Sequence, residues 1–76
     1  MEDTRARDAA GRNEMIQGGP DKPLGDAPRL VANYGGEPGD WVKMKGPSQV
    51  IDGVPTEVHY FKNTETLQSV EFKFKP

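Results

Sequence analysis

His59 is the single histidine of this chain, and it stands in the segment Thr56-Glu57-Val58-His59-Tyr60, which gathers two hydroxyls, a carboxylate and an imidazole. A second charged segment, Glu71-Phe72-Lys73-Phe74-Lys75, lies close to the C-terminus. An imidazole titrates near neutrality, so His59 suits proton transfer when a carboxylate orients it. Cations beside it suit a phosphorane, whose charge must be stabilised as it develops. These residue types therefore fit metal-independent cleavage of RNA, in which a base takes the ribose 2′-hydroxyl proton and an acid supplies the leaving 5′-oxygen. His59 is the candidate acid/base, Glu57 or Glu71 its orienting carboxylate, Lys73 a phosphate-facing cation and Tyr60 an assistant. Lys75, Lys62 and Thr56 are candidates for substrate contact. The same charges also fit plain cross-strand ion pairs on a solvated face, each worth about 0–1 kcal/mol. Both readings stay open on spacing alone.

Two strands must position these groups. Val54–Phe61 and Gln68–Lys75 alternate with a period of two, which specifies a hairpin. Val54, Thr56, Val58 and Tyr60 share one face of the first strand, and Val70, Phe72 and Phe74 share one face of the second. A five-residue loop, Asn63–Leu67, matches these apolar faces. It pairs Tyr60 with Val70, Val58 with Phe72 and Thr56 with Phe74. On the polar face the same register sets His59 opposite Glu71 and Glu57 opposite Lys73, so that charge and hydropathy agree.

Upstream, Trp41–Lys45 reads as a strand closed by Gly46-Pro47, and Gln49–Ile51 as a short strand before an Asp52-Gly53 hairpin turn. Asp26 is placed to cap a helix over Ala27–Tyr34, with Pro28 in its first turn and Gly35-Gly36 as its stop. The fold class expected is α+β, a short helix packed on a small twisted antiparallel sheet of about four strands. Residues 1–25 read differently. Residues 2–16 show no sustained apolar stripe, and residues 18–28 hold three Gly and three Pro. The expected organisation is a flexible linker or frayed helix over residues 1–25 and one small domain over residues 26–76.

Composition narrows the function classes. The chain has 76 residues, only 33% of them hydrophobic, with nine Gly and seven Pro, which leaves a thin core. It has no cysteine, so neither disulfides nor thiolate metal sites support it, and a lone histidine with scattered acids implies no metal and no cofactor. No run approaches the ~18 apolar residues of a membrane span, and Met1 is followed by charge rather than a signal-type apolar stretch. Export, if it occurs, is expected to depend on a larger parent. Net charge is −2, yet all four Arg precede Leu30 while five of six Lys follow it. The second half is thus slightly basic, enough for a local phosphate patch.

At Tyr34-Gly35-Gly36-Glu37-Pro38-Gly39-Asp40-Trp41-Val42-Lys43, Glu57-Val58-His59-Tyr60, Asn63-Thr64 and Val70-Glu71-Phe72-Lys73-Phe74-Lys75, the chain resembles a known kind of tail. It is similar to the short C-terminal toxin tips of bacterial polymorphic toxins, including CdiA-type contact-dependent-inhibition and Rhs-type effectors. Many of those tips resemble the barnase, EndoU, colicin and RelE-like RNases. The resemblance implies an RNase with tRNA as the first substrate to test. It further implies release from an exported parent into the cytoplasm of a target cell, and neutralisation by a cognate immunity protein. It carries Glu57, His59, Tyr60, Glu71 and Lys73 as site residues. The chain departs from the pattern at Val58, where those tails carry Thr, and at Leu67, where they carry Gly. Two other readings remain, a non-catalytic β-sheet binding module using Trp41 and an exposed strand edge, and a fragment of a larger protein.

Overall fold

Alternating side chains and turn residues give the second half of the chain its antiparallel sheet, and one short helix closes over part of it. The structure, a computed structural model, describes residues 13–75. The order is β1 (Glu14–Gly18), α1 (Ala27–Tyr34), a 3-10 turn (Pro38–Asp40), β2 (Trp41–Lys45), β3 (Gln49–Ile51), β4 (Val54–Asn63) and β5 (Ser69–Lys75). The fold is α+β as expected. The sheet has five strands rather than four: β1 pairs β2, β2 pairs β4, and β4 also pairs β3 and β5, every pair antiparallel. The Asp52-Gly53 turn joins β3 to β4 with left-handed φ angles of 50° and 80°, as its sequence requires.

The fifth strand, β1, corrects the reading of residues 14–18, within the stretch 1–25 expected as linker or frayed helix. Glu14 pairs with Lys45, Met15 with Met44, Gln17 with Lys43 and Gly18 with Val42. Glu14 through Gln17 are all exposed. Pairing along the edge of β2 therefore satisfies the backbone of β1 without burying its side chains, and no hydropathy pattern announces it. Leu24 is buried with Ala27 and Leu30 in the core, so the domain begins well before residue 26. Gly18 marks the close approach: a Cβ there would stand 2.8 Å from the Trp41 carbonyl oxygen, and its φ is +104°. The expectation for residues 1–12 lies outside the described residues.

Helix α1 has the expected bounds but not the expected cap. Asp26 occupies the N-cap position without a side-chain cap bond, and its carboxylate lies 4.0 Å from Arg29 instead. The helix stops at Gly35, whose N–H donates to the Val31 carbonyl. Its buried side packs Ala27 and Leu30, with Leu24, onto Trp41, Phe61 and Val70 of the sheet. Val58, Tyr60 and Phe72 form a second cluster, which Met44 and Phe74 partly cover. Successive residues of a strand point to opposite faces, so Tyr60 and Phe61 place the two clusters on the two sides of the sheet.

The β4–β5 register departs from expectation. Lys62 pairs with Ser69 and Phe61 with Val70, whereas His59 pairs with Lys73, Val58 with Phe74 and Glu57 with Lys75. A bulge separates the two stretches: Glu71 and Phe72 together oppose Tyr60, and Glu71 adopts φ +58°. The expected pairs His59–Glu71, Glu57–Lys73, Tyr60–Val70, Val58–Phe72 and Thr56–Phe74 do not form. The physical reason is that Val70, Phe72 and Phe74 do not share a face. Val70 joins the helix-side core while Phe72 and Phe74 join the other cluster, and one extra residue between them permits this.

The hairpin loop is held by Asn63, whose Oδ1 accepts from the backbone N–H of Glu65 and Thr66 at 2.8 and 3.0 Å. Leu67 closes the loop with φ +66° while 67% exposed. A left-handed L-residue costs roughly 1–2 kcal/mol, part of which Gly would give back through chain entropy. Leu67→Gly is therefore expected to stabilise the chain by about 0.5 kcal/mol and raise its Tm by about 3 °C. A thermal melt with an unchanged or lower Tm would reject this account of the loop.

Candidate active site

His59 sits near the middle of β4, two residues along from the buried Phe61 and on the same face. Across the strands, Lys45 of β2 pairs with His59 on one side and Lys73 of β5 pairs with it on the other. A Lys–His–Lys row therefore runs across three adjacent strands. Glu57 joins it from the next position on this face of β4, its Oε1 lying 3.2 Å from His59 Nε2. Lys45 Nζ is 3.6 Å from Glu57 Oε2 and 3.2 Å from Glu14 Oε1.

The two members of the dyad differ in exposure. The Glu57 side chain is 38% exposed and the His59 ring 13%. With Nε2–H donating to Glu57, Nδ1 is left as a buried lone pair without a hydrogen-bond partner among the described residues. The hydrogen bond from His59, then the Lys45 ammonium, hold the Glu57 carboxyl below its ordinary range. Hydrogen bonding to Glu14 and the nearby Glu57 charge raise the Lys45 ammonium. Glu14, Lys45, Ser48 and Glu57 line a surface cleft of about 350 Å³. The arrangement can pass a proton between imidazole and carboxylate beside two cations, with the carboxylate as the more open group.

Of the expected site residues, the structure brings Glu57, His59 and Lys73 together, and Lys75 lies opposite Glu57. Tyr60 does not join them. It is buried on the other side of the sheet, stacked on Phe72 with ring centroids 4.4 Å apart, and burial pushes its phenol up. Thr56 is buried, donating to the Val54 carbonyl at 2.9 Å. Lys62, an even number of residues from Tyr60 on β4, lies on that same side. Glu71 is turned by its bulge toward the helix, where Arg29 Nη1 meets its Oε2 at 2.5 Å and the Tyr34 hydroxyl donates to it at 3.0 Å. Arg29 also lies 5.9 Å from the centre of the Phe61 ring.

Lys45 and Arg29 are the groups that sequence reasoning missed. The alternation of Trp41–Lys45 announces a strand but not its partner, and the pairing of β2 with β4 is what brings Lys45 to His59. No sequence signal ties Arg29 to Glu71, because their contact depends on the bulge. Trp41, which a binding-module reading would expose, is fully buried, its Nε1 donating to the Gly35 carbonyl at 3.0 Å.

The carboxylates give a pH dependence. The bond from Arg29, then that from Tyr34, hold the Glu71 carboxyl below its ordinary 4.5, so folding stability from it is fully present above pH 4.5 and is lost as pH falls through the lower folded value. Glu57 acts in the same direction, weakened by its exposure. Circular-dichroism melts are expected to show Tm falling below pH 4.5, and Glu71→Gln is expected to flatten that fall. Equal acid slopes in the two chains would remove Glu71 from the account.

No helix among the described residues is long and apolar enough to cross a membrane. Comparisons of the chain with protein-family models, with curated proteins and with solved structures return no significant match.

Proposed function

We propose that this chain is the toxin tip of a bacterial polymorphic toxin and acts as a metal-independent endoribonuclease, with tRNA as the first substrate to test. The observation that carries the reading is the Lys45–His59–Lys73 row with Glu57 bound to the imidazole. Its likeness to polymorphic toxin tips agrees with that chemistry. In the reaction, the 2′-hydroxyl gives its proton to the Glu57–His59 pair as the O2′–P bond forms. The P–O5′ bond then breaks, and the pair returns the proton to the 5′-oxygen. Lys45 and Lys73 face the charge that builds on the phosphorane oxygens, and Lys75 extends the phosphate path. Glu71, Tyr60, Thr56 and Lys62 take no direct part. The tip is delivered by an exported parent into the cytoplasm of a target cell, and a cognate immunity protein neutralises it.

Inducing the chain in bacteria tests the reading. Growth arrest with fragmented tRNA, both absent in His59→Ala, supports it. Arrest that persists in His59→Ala rejects the mechanism and keeps the toxin. No arrest and intact RNA reject the activity.

A further inference from the structure

Glu71 stands at φ +58° in mid-strand, in the position of a bulge that glycine ordinarily fills, a conformation that a side-chain-bearing residue rarely adopts. The bulge has a consequence at the candidate site. Before it, β4 and β5 pair as Phe61–Val70; continuing that register would set Phe72 opposite His59 and move Lys73 to the other face. With the extra residue, Lys73 faces His59. Glu71 touches neither, but its carboxylate is held from α1 by Arg29 and Tyr34. We infer that Glu71, pinned by Arg29 and Tyr34, is a positioning residue whose bulge sets Lys73 in the row with His59. Helix α1 thereby reaches the candidate site through the backbone of β5 rather than by contact. The catalytic side of the inference rests on the proposed RNase reading; the positioning side does not.

Nuclear magnetic resonance on the full chain reads the cross-strand backbone contact between His59 and Lys73 directly. Glu71→Gly keeps the left-handed residue and is expected to keep that contact. Glu71→Val opposes it and is expected to lose the contact, with RNA cleavage falling about tenfold to a hundredfold. Deleting Glu71 lets Val70 through Phe74 pair one for one with Phe61 through Val58, and is expected to restore the contact. That chain keeps the test valid where Glu71→Val fails to fold. Arg29→Ala is expected to weaken the contact when Glu71 is present and to leave it unchanged in Glu71→Gly. A contact that persists in both Glu71→Val and Arg29→Ala overturns the inference, whatever happens to RNA. Loss of the contact in those chains, beside a parent chain that cleaves no RNA, upholds the positioning and overturns only the proposed activity.

Discussion

Trp41→Ala is expected to remove about half of the chain's stability and to lower its urea midpoint steeply. Trp41 has no exposed surface and joins Leu30, Phe61 and Val70 in the cluster that ties α1 to the sheet. Removing so large a buried side chain costs about 3–5 kcal/mol. A chain of this length has a total stability of roughly 4–11 kcal/mol, so the loss consumes much of it. Trp41→Phe keeps most of the ring and drops the hydrogen bond to Gly35, and is expected to cost about 1 kcal/mol or somewhat more. Urea unfolding followed by circular dichroism separates the two. A Trp41→Ala chain that unfolds at the same midpoint as the parent would show that the helix-side cluster does not hold the domain together.

The second large effect separates activity from stability at one residue. His59 carries a buried Nδ1 without a hydrogen-bond partner among the described residues, and leaving such a group unsatisfied costs about 1–3 kcal/mol. A leucine at this position removes that cost along with the part-buried bond to Glu57. His59→Leu is therefore expected to melt within about 1 kcal/mol of the parent or above it, while losing cleavage by at least about a hundredfold. A residue kept only for structure behaves in the opposite way, weakening the fold when replaced. Thermal melts and cleavage rates on the same two preparations decide between them. A His59→Leu chain that loses stability and cleaves as before would assign His59 to the fold alone.

Much of the fold was legible because local chemistry specified it. Trp41–Lys45 alternates, Asp52-Gly53 can adopt the left-handed turn, and Ala27–Tyr34 ends at a glycine; each formed where expected. The element that escaped, β1, has exposed side chains and is held by backbone pairing, so hydropathy carries no trace of it. The final hairpin was legible as a hairpin but not in register. Val70, Phe72 and Phe74 alternate perfectly in sequence, and only the tertiary placement of Val70 under α1 reveals that a bulge divides them. That single residue changed the site. Glu57 kept its place beside His59, Lys73 became the direct neighbour of His59, and Glu71 left for Arg29. Neighbours along one strand survive a register error, whereas partners across strands do not.

The row of Lys45, His59 and Lys73, with Glu57, is the proposed ribonuclease centre. The decisive experiment incubates the purified full chain with tRNA in the presence of a metal chelator and analyses the new ends. Fragments ending in a 2′,3′-cyclic phosphate are expected with chelator present, lost in His59→Leu and much reduced in Lys73→Ala. Intact tRNA, or cleavage that His59→Leu leaves unchanged, would contradict that assignment.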